Sequence, residues 1–187
     1  MSQLRIIAGK LRSRKIIFTE ALGLRPTHDR IRETLFNWLD KNIIDAICLD
    51  CFAGSGALGF EALSRGAKYV TFVDNNHKII EQLKLNAKTL DVTKNSIEFL
   101  NANFQDLYFT QYKNKFNIIF LDPPFKQNLV STSIALIEKY NLLKANALVY
   151  IEFEINGFDL TQLPKNWKVR RRQHTKTIEY CLCDVIF

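Results

Sequence analysis

No stretch of this sequence is apolar for long enough to cross a bilayer, which takes about 20 residues. Arg5, Lys10, Arg12, Arg14 and Lys15 interrupt the N-terminus before the core of a secretion signal can form. The expected compartment is therefore the cytoplasm, with no membrane partner. Acids are short relative to bases, with 19 Asp and Glu against 26 Lys and Arg and a net charge of +7, which leans toward a polyanionic partner. Internal repeats and low-complexity linkers are also missing, so the 187 residues are expected to form one domain with a substantial core. Cysteine is sparse: Cys48-x-x-Cys51 and Cys181-x-Cys183 hold all four. An odd offset within a strand sends Cys48 and Cys51 to opposite faces, so no shared metal and no disulfide are expected.

What is present alternates. Strand-like apolar runs at 46–51, 69–73, 97–100, 116–121 and 147–153 are separated by helical patterns at about 56–65, 76–90 and 128–140, with a short helical piece near 104–112. Nearly continuous apolar strands between amphipathic helices predict a parallel sheet covered on both faces, an α/β fold. Ahead of it, residues 4–18 predict two short strands around Gly9. A helix follows from about Asp29 to Lys41, with Thr27 or a neighbour as its N-cap and Ile31, Leu35, Trp38 and Leu39 on its apolar face. WKVRRRQ and TIEYCLCDVIF predict a terminal hairpin.

The first strand of the alternating region runs into LDCFAGSGALGF. Gly54-x-Gly56-x-x-Gly59 has a strand before it and a helix after it, and Asp74 ends the next strand, where a carboxylate can bind ribose hydroxyls. Asp50, four residues before Gly54, argues against a nicotinamide dinucleotide, because a carboxylate there repels a pyrophosphate but suits an α-ammonium group. Asp50-x-Phe52-x-Gly54-x-Gly56 resembles the loop of S-adenosylmethionine-dependent methyltransferases. The expected cofactor contacts are Asp50, Phe52, Ala53, Gly54, Ser55 and Gly56, with Asp74 and Asn75. In enzymes of this style an acid after the third strand accepts a hydrogen bond from adenine. Here Asn103-Phe104 stands in that place, and the Asn103 amide oxygen can still accept.

The run NIIFLDPPF places Asp122-Pro123-Pro124-Phe125 at the end of the fourth strand. Two prolines end a strand and lock its exit. Asp122 and a fixed carbonyl can then accept both hydrogens of an exocyclic amine, while Phe125 stacks on the ring that bears it. The motif resembles the signature of amino-group N-methyltransferases acting on adenine, cytosine or guanine. Its base must be unpaired or flipped.

RIIAGKLRSRKI, LRPTHDRIRETLFNWL, LDCFAGSGALGFEALSRGA and DPPF, in that order, are together similar to the RsmD family, bacterial enzymes that methylate guanine N2 in 16S ribosomal RNA. The resemblance implies a class I fold with a Rossmann-like, seven-stranded, mostly parallel sheet and an N-terminal β-hairpin. It implies S-adenosylmethionine as cofactor and rRNA in a small-subunit assembly particle as partner. Residues 1–20 are then a basic hairpin appendage and 21–187 the methyltransferase domain. Arg5, Lys10, Arg12, Arg14, Lys15, Arg25 and Arg32 are the expected RNA contacts. The alternatives are methylation of an adenine or cytosine amine, and a non-catalytic RNA-binding module.

Overall fold

Local pattern is turned into position by the way the strands pair. In the computed structural model, which describes residues 2–18, 29–113, 115–125 and 128–186, β1 (Ser2–Arg5) and β2 (Lys15–Phe18) form a small antiparallel sheet of their own. α1 (Asp29–Leu39) leads to β3 (Ile47–Asp50), α2 (Ala57–Ser64), β4 (Tyr69–Asp74), α3 (His77–Thr89), β5 (Ile97–Asn101) and β6 (Phe116–Leu121). α4 (Leu129–Lys139), β7 (Leu143–Glu154), β8 (Trp167–His174) and β9 (Ile178–Val185) complete the described elements. The N-cap expected near Thr27 and the contact expected at Arg25 lie outside the described residues.

Seven strands form one sheet in the order β5-β4-β3-β6-β7-β9-β8. β3 to β7 pair in parallel, while β9 runs antiparallel to both β7 and β8. The chain builds outward through β4 and β5 and then returns to the other side of β3, so the strand order reverses between β3 and β6. Open α/β sheets bind ligands above the carboxyl ends of the strands at such a reversal.

Two apolar layers cover the sheet. One holds α1, α2, α3 and the N-terminal hairpin, through Ile16, Phe36, Phe60, Phe72, Phe120 and Tyr150. The other holds α4 and the aromatic residues of the segment after β5. Cys48 belongs to the first layer and Cys51 to the second, and Cys181 and Cys183 are buried free thiols.

Two elements differ from the pattern of the sequence. β7 begins at Leu143, earlier than its apolar run suggests, because Leu143 pairs with Phe116 across an irregularity in β6. The helix expected over 104–112 is instead two separate 3-10 turns, Phe104–Asp106 and Thr110–Tyr112. Phe104 and Phe109 pack with ring centres 5.0 Å apart, both buried in the same layer. Residues five apart sit about 140° around an α-helix and could not share that layer.

Candidate active site

The glycine loop owes its shape to two positions. Gly56, at φ 80°, is left-handed just before α2, and a Cβ on it would lie 2.6 Å from the Leu83 side chain. A Cβ on Gly59 would lie 2.2 Å from the ring of Phe72 on β4. The first allows the turn and the second lets α2 settle on the sheet. The Gly56 N–H donates to the Ala53 carbonyl at 2.7 Å, and the Ala53 N–H donates to Val73 at 2.8 Å.

Acids ring this turn. Asp74 accepts from the Gly54 N–H at 3.0 Å and from the Asn76 N–H at 2.9 Å, tying the loop to the start of α3. Asn75, between them, is exposed. Asp50 is buried and accepts from the Gly59 N–H at 3.2 Å. Burial, followed by the charges of Asp122 and Asp74, pushes its carboxyl up to about 7.

Asp122 continues past β6, half-buried, with Pro123 buried and Pro124 exposed; Phe125 packs against the first apolar layer. Cys48, Phe120 and Tyr150 all lie in that layer. Asp50, Asp122 and Glu152 each stand two residues further along the same strand or its exit, so alternation turns all three acids to one face. Glu152 was not anticipated from the sequence. It is 3% exposed and accepts from the Tyr150 hydroxyl at 2.7 Å. Burial, and then the charge of Asp122, push its carboxyl up to about 8, against the opposing pull of the Tyr150 bond. A signal for it existed, since an acid inside the otherwise apolar run ALVYIEF has to find a special partner.

Burial raises both Asp50 and Glu152 above their ordinary values, so ionising them disfavours the folded chain. Between about pH 4 and pH 8 the folded state holds more protons than the unfolded one at these groups, and their contribution to stability falls as pH rises. Glu152→Gln, which can still accept from Tyr150, is expected to raise the melting temperature of the ligand-free protein at pH 8.5. The gain should shrink toward pH 5, and thermal unfolding across that range checks it. An equal gain at both pH values would contradict the assignment.

Several expected residues sit elsewhere than foreseen. Phe104 is 1% exposed, packed between Phe52 at 5.9 Å and Phe109 at 5.0 Å between ring centres. Its ring is packed against Phe52 within the second apolar layer. Asn103 is exposed and its carbonyl caps the following turn. Arg32 is likewise a correction, being fully buried. It donates to the Arg5 carbonyl at 2.6 Å and to Asp29 at 2.9 Å, and its Nε lies 3.9 Å from Glu61. Glu61, also buried, accepts from the Ile7 and Ala8 N–H groups at 2.8 and 3.1 Å and from Arg65 at 2.7 Å. The pair clamps the N-terminal hairpin to the domain; the Arg32 Nε and Nη1 make no hydrogen bond among the described residues, but burial keeps the guanidinium away from any phosphate at the surface.

Arg5, Lys10, Arg12, Arg14 and Lys15 are exposed. The tip of their hairpin, however, sits on the last turns of α2 and α3. The Lys10 N–H donates to the Ser64 carbonyl at 2.7 Å, and the Arg14 guanidinium donates to Thr89 at 2.5 Å. Both helices begin at the glycine-loop end and run away from it, so the tip lies at the opposite end of the sheet from Asp122. Cations there complement the negative ends of two helix dipoles.

A reversal point between β3 and β6, a glycine turn opening α2, and an acid held by two prolines at the exit of β6 define the class I, Rossmann-like methyltransferase architecture. The family model described as conserved hypothetical protein 95 matches residues 4–184. The chain is 45% identical over 182 residues to the ribosomal RNA small subunit methyltransferase D of Haemophilus influenzae, covering 96% of this chain and 93% of that protein. It is 44% identical over 181 residues to the protein of the same name from Escherichia coli K12, covering 96% of this chain and 89% of that one. The solved structure of yhhF from Escherichia coli superposes with a TM-score of 0.88 at 40% identity, covering 99% of each chain. The chain belongs to this family, the RsmD methyltransferases.

Proposed function

We propose that this chain uses S-adenosylmethionine to methylate the exocyclic N2 amine of a guanine in 16S ribosomal RNA, in the cytoplasm and on a partly assembled small subunit. The observation that carries the reading is the convergence of Asp50, Asp122 and Glu152 on one face at the strand reversal, with Asp122 fixed by Pro123 and Pro124. The relatives named ribosomal RNA small subunit methyltransferase D support rRNA as the substrate.

The donor set fits this cofactor. Asp50, Asp74 and Asp122 interact electrostatically across the turn, and such a cluster favours a cation over a pyrophosphate. When bound, the cofactor supplies an electrophilic methyl group on a positively charged sulfur. Asp50 would hold the α-ammonium, Asp74 the ribose hydroxyls, and Phe52 with residues 53–56 the surrounding wall.

Asp122 accepts a hydrogen from the amine, which turns the nitrogen lone pair out of conjugation, and takes up the proton as the new N–C bond forms. Phe125 holds the base ring by stacking. Glu152, braced by Tyr150 and buried next to Asp122, keeps the floor of the site polar and shielded from water.

The test is methyl transfer from labelled cofactor to small-subunit particles and to naked 16S rRNA from cells lacking the activity, with the product base identified after digestion. Label on one guanine as N2-methylguanosine is the expected result. Label on an adenine or cytosine amine would overturn the base assignment, and transfer to neither RNA form would overturn the reading.

A further inference from the structure

Residues 165–177, KNWKVRRRQHTKT, carry six lysines and arginines and no acid. They include β8, the edge strand of the large sheet, in which every residue after Trp167 is exposed. The neighbouring β9 neutralises two of the cations. Arg170 makes a two-pronged bond to Asp184, with Nε at 3.0 Å, and Arg172 pairs with Glu179. Lys165, Lys168, Arg171 and Lys176 have no ion pair among the described residues.

Strand direction decides what this patch faces. β9 is antiparallel to β7 and β8 is antiparallel to β9, so β8 runs the same way as β7. Arg171 stands opposite Leu182, which stands opposite Tyr150. His174 stands opposite Glu179, which stands opposite Phe153. Arg171 through Lys176 therefore lie level with Tyr150, Glu152 and the exit of β6, at the end of the sheet where Asp122 sits. Three strand spacings separate β6 from β8, about 14 Å. The cations at the N-terminal hairpin tip are at the other end.

We infer that the β8 edge and its turn, through Arg171, His174 and Lys176, form a phosphate-contacting surface that holds the RNA beside the target base. This rests on the RNA methyltransferase reading above. A polynucleotide whose base enters at Asp122 has to leave along the sheet in one direction or another. The β8 side offers unneutralised positive charge at the right level. Such contacts position the substrate without reading its sequence. The other role open to a basic edge strand is to discourage edge-to-edge pairing, and that role makes no demand on substrate affinity.

The test compares R171E/K176E with R12E, a charge reversal at the hairpin tip. All three side chains are exposed, and thermal melting together with S-adenosylhomocysteine affinity confirms that each variant is folded with an intact cofactor site. With small-subunit particles as substrate, R171E/K176E is expected to raise KM about tenfold and leave kcat within twofold. The slope of log affinity against log salt should flatten by about 1.5, as two lost phosphate contacts require. R12E should shift KM less than threefold. Filter retention of a 16S rRNA fragment reads the same surface without catalysis, so failure of methyl transfer and failure of this inference are distinguishable. Wild-type RNA affinity and salt slope in R171E/K176E, or a larger loss in R12E, would overturn it.

Discussion

Asp122→Ala is expected to lower kcat for methyl transfer by about 10³-fold, within the range for losing a positioned proton acceptor, while KM for RNA changes less than threefold. An exocyclic amine is a poor nucleophile because its lone pair is shared with the ring, and in the proposed mechanism Asp122 draws that pair out. Pro123 and Pro124 deny the backbone the freedom to bring another acceptor into the same place. Asp122→Asn keeps an acceptor oxygen but cannot take up the proton, so it should fall between wild type and alanine. The substitution also removes a like charge from Asp50 and Glu152, which lets both ionise at lower pH. The pH profile of any residual activity should move downward accordingly. Single-turnover kinetics on particles would decide the matter, and an alanine variant keeping more than a tenth of wild-type kcat would refute the role.

The second large effect concerns stability. Glu61→Ala would remove the buried acid beside the Arg32 guanidinium, leaving it only the exposed Asp29, and would strip the acceptor from the Ile7 and Ala8 N–H groups together. Breaking a buried pair by removing one partner costs about 3–5 kcal/mol. For a chain of this size that corresponds to a fall in melting temperature of about 10 °C. Glu61→Gln retains an acceptor oxygen and should lose less. Amide exchange at Ile7 and Ala8 should accelerate in the alanine variant before the sheet opens, because these amides hold the hairpin to α2. Calorimetry showing a loss below about 1 kcal/mol would mean that the hairpin is held by its apolar face alone.

That apolar face was legible in the chain. Alternation of apolar residues in residues 4–18, the runs at 46–51, 69–73 and 116–121, and the helical repeats between them correspond to observed elements. The Gly54–Gly59 turn and the Asp122-Pro-Pro-Phe exit were legible for the same reason, since each is a local demand on φ, on close approach or on a missing N–H. Arg32 was misjudged because a cation in a basic neighbourhood reads as surface. Its acid partner Glu61 lies on a different helix, and nothing in the spacing of the two residues announces the contact. Phe104 was misjudged in a related way: it follows a strand end, where ligands bind, yet two other aromatic rings, Phe52 and Phe109, hold it in the core.

By itself the sequence determined the kinds of element, their order and the two motifs that carry the chemistry, because periodicity and backbone restriction act over a few residues. The tertiary structure alone decided which end of the sheet each charge occupies. Glu152 reaches Asp122 only because β6 and β7 pair in one register, and the hairpin tip lies far from Asp122 because α2 and α3 run away from the glycine loop before the tip meets them. Strand direction and register are set by long-range packing, and they convert a basic or acidic residue at a known position in the chain into one on a known side of the site.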